Sequence, residues 1–265
     1  MNLRLTTIIL LIISSTCLGQ LNSAPKPKMD KTLMKQFLET HMIYPVAALR
    51  NKAEGKLIIN FTADEDGKIA NRAIGQSPSS LLDPEALRLF DLIEWDPALA
   101  DGVAKKGSGE FTIDFKIKKY NKAVKRRGYK EIAINYPIDS SLRIYSRKEL
   151  DTVAQSALAG GNKNLYSYIY SQMQYPKQAS DLNIGGKVEL SLIIEKNGLP
   201  SNIVVNQTVG GGCTEEAVRI TNTIKWNPAI KNGMAVRSRQ KLFIEFRLDG
   251  NNGGKYIPNQ TNPGF

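Results

Sequence analysis

One offset constrains this chain more than any other feature: a shift of 131 residues lays one half on the other without a gap. Tyr44-Pro45 falls on Tyr175-Pro176, Gly55-Lys56 on Gly186-Lys187, and Gly67 on Gly198. Trp95, Pro97, Ala98 and Gly102 fall on Trp226, Pro228, Ala229 and Gly233, so both tryptophans hold the same place in a repeated unit. Residues 44–115 and 175–246 share 19 identities in 72 positions. Solenoid units run roughly 20–50 residues, well short of this period. Two copies of one small domain are therefore expected. With a leading helix, each holds about 85 residues, enough to bury a core of its own.

The repeat lets each element be read twice. Leu57, Ile59, Phe61 and Ala63 alternate with polar Lys56, Asn60 and Thr62, and Val188, Leu190, Leu192 and Ile194 repeat the pattern. Period two marks a strand with one buried face. Asp66-Gly67 and Asn197-Gly198 follow as hairpin turns into return strands over Ile69–Ile74 and around Ile203–Val205. Asp83-Pro84 reads as a cap followed by a first-turn proline, with Thr214 as the equivalent cap. The helical stripe is Ala86, Leu87, Phe90 and Ile93, matched by Ala217, Val218, Thr221 and Ile224. Trp-x-Pro ends each helix, because the residue before proline is driven from helical geometry. Phe111–Ile117 and Leu242–Leu248 alternate again as third strands. Upstream, Leu33, Met34, Phe37 and Leu38, and Leu165, Tyr168 and Ile169, predict a helix leading into each Tyr-Pro. The fold class is α+β, each unit running helix–strand–strand–helix–strand with a three-stranded antiparallel sheet and two helices on one face.

The first residues read as an export leader. Arg4 precedes the apolar run Ile8–Ile13, Ser14-Ser15-Thr16 breaks it, and Cys17-Leu18-Gly19 is a small-x-small cleavage site. A spanning anchor needs about 20 apolar residues, more than this run supplies. Lipidation at Cys17 and an uncleaved anchor are the rival readings. Removal of 1–19 leaves Cys213 alone, so no intrachain disulfide can form, and its alignment with Leu82 reads as a small buried hydrophobe. The expected division is leader 1–19, domains 31–118 and 161–249, a basic connector 119–160 and a disordered tail 250–265.

Charge is uneven. The first repeat carries 8 basic and 12 acidic residues over 44–115, the second 9 and 6 over 175–246, and 116–174 holds 12 and 4. Lys118, Lys119, Lys122, Lys125, Arg126 and Arg127 form an acid-free patch. An exported protein seldom meets nucleic acid, so anionic lipid, peptidoglycan or an acidic protein is the partner class for that patch, against a plain solvated linker. Opposite net signs also suit docking of one repeat on the other. Apolar residues between Tyr129 and Ala159 are too frequent for a free linker, although their fold stays open.

Tyr-Pro, a Gly-Lys strand, an Asp- or Asn-Gly hairpin, an Ala-containing helix, Trp-x-Pro-Ala and a last strand ending in Phe, all present twice, resemble the TonB C-terminal domain family. The resemblance implies a non-enzymatic periplasmic module of Gram-negative bacteria. Such a module binds the short TonB-box peptide of outer-membrane receptors by adding it as a strand. It also implies that the segment before Tyr-Pro meets the peptide. The family's Gln in that segment is matched only in the second copy, so the expected peptide-binding residues are Gln172, Met173, Gln174, Tyr175, Phe243, Glu245 and Arg247.

Departures from the family shape the remaining readings. A full transducer has a transmembrane helix and a long Pro-rich spacer, whereas only Ala24-Pro25-Lys26-Pro27-Lys28 resembles the latter here. The readings are a periplasmic receptor-binding adaptor, a membrane-anchored atypical transducer subunit, and an envelope structural protein held by the basic connector. No cofactor or metal is expected. His41 lacks a partnering Cys or Ser motif, Asp64-Glu65-Asp66 lacks the later Glu of a calcium loop, and Gly210-Gly211-Gly212 has no Lys-Ser/Thr after it.

Overall fold

The computed structural model describes residues 22–248; the leader and the tail expected from sequence lie outside the described residues. The first repeat begins with β1 (Lys26–Pro27), α1 (Lys31–His41) and the short α2 (Val46–Arg50). Next come β2 (Gly55–Ala63), β3 (Ile69–Gln76) and α3 (Asp83–Leu92). It closes with β4 (Trp95–Asp96), β5 (Ala98–Ala100), β6 (Val103–Lys105) and β7 (Gly107–Phe115). The connector supplies α4 (Ile117–Arg127), β8 (Ile144–Tyr145) and β9 (Gln155–Ser156). The second repeat follows as α5 (Leu165–Gln172), α6 (Lys177–Asp181), β10 (Gly186–Ile194), β11 (Pro200–Gln207), α7 (Cys213–Thr221), β12 (Trp226–Asn227), β13 (Ala229–Lys231) and β14 (Met234–Phe246).

Each repeat is an antiparallel sheet with its first strand in the middle: β3-β2-β7 and β11-β10-β14, the second extended by β13 and β8. Leu57, Ile59, Phe61 and Ala63, and Val188, Leu190, Leu192 and Ile194, turn inward and are almost wholly buried, as period two requires. Trp95 packs among Phe61, Phe90 and Phe111, with centroids 4.3 to 5.5 Å away. The hairpin glycines are forced by their surroundings. Gly67 and Gly198 have φ of +79° and +74°, and a Cβ there would lie 2.2 and 1.9 Å from the carbonyl oxygens of Trp95 and Trp226.

Three local expectations need correcting. The helix caps differ: α3 begins at Asp83 itself, whose carboxylate accepts from the Ser77 hydroxyl at 2.5 Å, and α7 begins at Cys213 after left-handed Gly212. The Thr214 hydroxyl turns back to Val209 instead, accepting from its N–H and donating to its carbonyl. The third strands start earlier than 111 and 242. In β7, Gly107 and Gly109 interrupt the apolar pattern because they lie against Ala98 and the Phe61 ring, where a Cβ would sit 2.4 and 2.8 Å away. In β14, the polar residues Ser238–Gln240 pair with Leu192–Ile194 of β10 and so hide a strand behind hydrophilic residues. β7 also stops at Phe115, and Ile117 opens α4.

The repeats dock head to tail. α1 of the first packs on β11 of the second, where Leu33 and Phe37 meet Pro200, Ser201 and Ile203. The same strand in the first repeat, β3, is mostly exposed. His41 Nε2 lies 2.9 Å from the Pro200 carbonyl oxygen. Fully buried Asn202 accepts from Glu94 N–H at 2.8 Å and donates to the Leu92 carbonyl at 2.7 Å. The Arg237 guanidinium grips both Glu195 oxygens at 2.8 Å and also donates to the carbonyls of Leu92 and Leu142. Arg239 pairs with Glu94, in keeping with the opposite net charges of the two repeats.

Candidate functional site

A sheet whose third strand lies at the end presents main-chain donors and acceptors to whatever comes alongside. In the first repeat that strand is β7, paired over its length with β2; among the described residues no strand lies on its other side. Ser108, Glu110 and Thr112 project from its solvent face, while Phe111, Ile113 and Phe115 face the core. In the second repeat the matching edge is partly taken. β8 pairs with β14 in parallel, Ile144 with Arg237 and Tyr145 with Ser238, and Ile138 bridges Ala235. Further along, the Tyr166 phenol on α5 is hydrogen-bonded to the backbone of Phe243.

A polar network fixes the segment before each Tyr-Pro. The Glu85 carboxylate accepts from Ile43 N–H at 2.7 Å and holds Arg88, which donates to the His41 carbonyl. Glu216 accepts from Gln174 N–H at 2.7 Å and holds Arg219, which donates to the Gln172 carbonyl. Tyr44 and Tyr175 hydroxyls donate to the Ala53 and Ile184 carbonyls. Burial pushes the Glu85 carboxyl above its ordinary range, with the Arg88 guanidinium opposing. Burial also lifts the Tyr44 phenol to about 12. This Glu-x-x-Arg pair was missed in the sequence, although it stands at the same offset of 131 in both copies.

The expected peptide-binding residues fall into two groups. Gln172, Met173 and Gln174 form the turn after α5, and their backbone is partly engaged: the Gln172 carbonyl by Arg219 and the Gln174 N–H by Glu216. Tyr175 lies half-buried with its ring centroid 5.8 Å from that of Phe246. Phe243 and Glu245 are half-buried on β14, where Lys187 sits 4.1 Å over the Phe243 ring, and Arg247 pairs with Glu245 at 2.7 Å. α5 and β14 do meet, through Tyr166 and Phe243.

The basic patch is helical. Lys118, Lys119, Lys122, Lys125 and Arg126 are exposed on α4, while Tyr120 and Ala123 are buried beneath them. Arg126 pairs with Glu39, and Lys119 with Asp114 at 3.3 Å. Arg127 serves α1: it donates to the carbonyls of Glu39, Thr40 and Met42 at 2.7 to 2.9 Å, satisfying acceptors that a helix C-terminus leaves open. Cys213 is buried and free, its thiol raised chiefly by desolvation. Among the described residues no His/Cys/Asp/Glu group is arranged to hold a metal ion, and no helix is long and apolar enough to cross a membrane.

The comparison with curated proteins finds no match. Among solved structures, the NMR solution structure of Helicobacter pylori TonB-CTD is similar at 22% identity, over 32% of this chain and 89% of that one. Its TM-score of 0.25 is too low to carry weight. The family model described as Gram-negative bacterial TonB protein C-terminal matches residues 40–117 and again 171–248, together more than half of the chain. The chain therefore belongs to the TonB C-terminal family and carries its domain in tandem.

Proposed function

We propose that this protein recognises extended peptide segments of outer-membrane transport receptors by strand addition to the third-strand edge of a repeat. Family membership makes it a TonB-like protein of the Gram-negative envelope. The observation that supports the finer reading is an end strand, β7, with its outer main chain unpaired among the described residues. Main-chain pairing supplies affinity to such an edge, and alternate side chains supply selectivity. The leader ending at Gly19 would deliver the protein to the periplasm, where receptor peptides are accessible. Gln172 to Tyr175 with Phe243, Glu245 and Arg247, expected from sequence in the second copy, mark the alternative edge for the same mode of binding, and no catalytic work belongs to this reading.

The test is calorimetric titration of the mature chain with a synthetic TonB-box peptide and with an analogue carrying proline at alternate positions. Binding of the first and loss of the second is expected, since proline has no N–H to pair. Equal binding of both, or of neither, would count against strand addition.

A further inference from the structure

The two third strands are equivalent in sequence and unequal in surroundings. We infer that the outer edge of β7 in the first repeat is where a partner's extended segment adds, while the chain itself occupies part of the matching edge of the second repeat. This rests on the strand-addition reading.

The filling can be traced residue by residue. Ala235 N–H donates to the Pro137 carbonyl at 2.7 Å, Asp139 N–H donates to the Ala235 carbonyl at 3.1 Å, and Ile144 and Tyr145 continue the parallel run. Arg237 reaches the Leu142 carbonyl, and the Lys196 ammonium donates to the Ser141 carbonyl at 2.6 Å, so side chains clamp the inserted stretch. Tyr166 then occupies the edge at Phe243. The offset of 131 places Ala104, Lys106 and Gly107 at the positions of Ala235, Arg237 and Ser238, and Thr112 at that of Phe243. None of these first-repeat residues has such a cover among the described residues. Lys35, which stands where Tyr166 stands, is exposed.

The connector also shows what chemistry suits this edge: an extended stretch running parallel to the third strand, with a β-branched and an aromatic residue in register. The first repeat has an excess of acid, and Glu110 is exposed on β7, so its occupant is a partner peptide of that kind bearing basic residues on its solvent side. An open edge invites unwanted pairing. A chain that obstructs one copy and leaves the other open favours a single receptor edge.

The test uses the isotope-labelled mature chain and a synthetic TonB-box peptide, followed by amide NMR. Shifts clustered at 108–114 are expected, with 239–245 unmoved. Thr112→Pro removes an N–H from the β7 edge and is expected to weaken binding about tenfold or more. Phe243→Pro makes the same lesion in the second copy and is expected to leave binding unchanged. Hydrogen exchange without peptide supplies an arm independent of proline: alternate β7 amides should exchange fast, and those of Ala235 and Phe243 slowly. Shifts at 239–245 with loss of the 144–145 pairing would overturn this inference and leave strand addition intact. Concentration-dependent shifts at 108–114 without peptide would make a second copy the occupant and overturn the partner assignment. Absence of shifts at both edges up to millimolar peptide would overturn both readings.

Discussion

Arg237→Ala strikes a point where both repeats and the connector meet. The guanidinium bridges Glu195, Leu92 and Leu142, and the ion-pair side chains are only 4% and 5% exposed. Removing one member of a buried pair strands the other charge in a poorly solvated site, which costs about 3–5 kcal/mol. Asn202 still satisfies the Leu92 carbonyl, so that acceptor adds little to the loss. With a urea slope of about 2–3 kcal/mol per molar, the midpoint should fall by roughly 1–2 M. The assay is urea unfolding of the mature chain by two probes, far-ultraviolet dichroism and tryptophan emission, compared with Lys177→Ala. Lys177 forms an exposed pair with Asp181, worth about 0.5 kcal/mol or less. The double variant Glu195→Leu/Arg237→Met should recover most of the loss, because a packed apolar pair removes the unpaired charge. A cost below about 1 kcal/mol for Arg237→Ala would mean that the pair is hydrated and that the first repeat does not seal it from water.

Other perturbations test separate parts of the structure. Burial lowers His41 to about 4 from an ordinary 6.5, so its contribution is complete above 6.5 and is lost as pH falls through about 4. The shift corresponds to about 3 kcal/mol. In His41→Gln, which places in the first copy what Gln172 is in the second, unfolding free energy measured between pH 7.5 and 4 should lose that part of its slope. Gly198→Ala should destabilise by several kcal/mol more than Gly233→Ala, whose strain alone costs about 1 kcal/mol. Both have φ of +74°, but only the Gly198 Cβ would strike the Trp226 carbonyl, while Gly233 faces open space. Thermal melting of the two variants distinguishes them. Glu216→Ala leaves the Gln174 N–H and Arg219 without their partner and should cost about 1–3 kcal/mol by urea unfolding.

The domain fold was legible because the repeat prints it twice, so strands, hairpins and Trp-x-Pro breaks confirm one another across the offset. What the repeat hides is where the copies differ. Leu33, Phe37 and His41 in α1 face Asn164, Tyr168 and Gln172 in the alignment, and Ile203 faces Arg72. Those departures code the docking interface: the first set packs against the second repeat, while Arg72 instead forms an ion pair with Asp91. A search for similarity passes over such positions. The connector was illegible for another reason. Its pairing with β14 depends on contacts about 95 residues apart in sequence, such as Arg237 with Leu142, and no local period announces them. The basic run was legible as charge but not as a capping device, since the work of Arg127 depends on the carbonyls of α1 lying beneath it. The Glu-x-x-Arg pair is legible as an identity in both copies, at polar helix positions that the apolar stripe does not reach.

The most direct measurement of the central claim is isotope-filtered NOE spectroscopy on the mature chain with bound TonB-box peptide. Cross-strand NOEs between peptide backbone protons and those of Glu110 and Thr112 are predicted, in the pattern of a parallel pair. NOEs confined to the lysine side chains of α4, or to the helical face alone, would contradict strand addition.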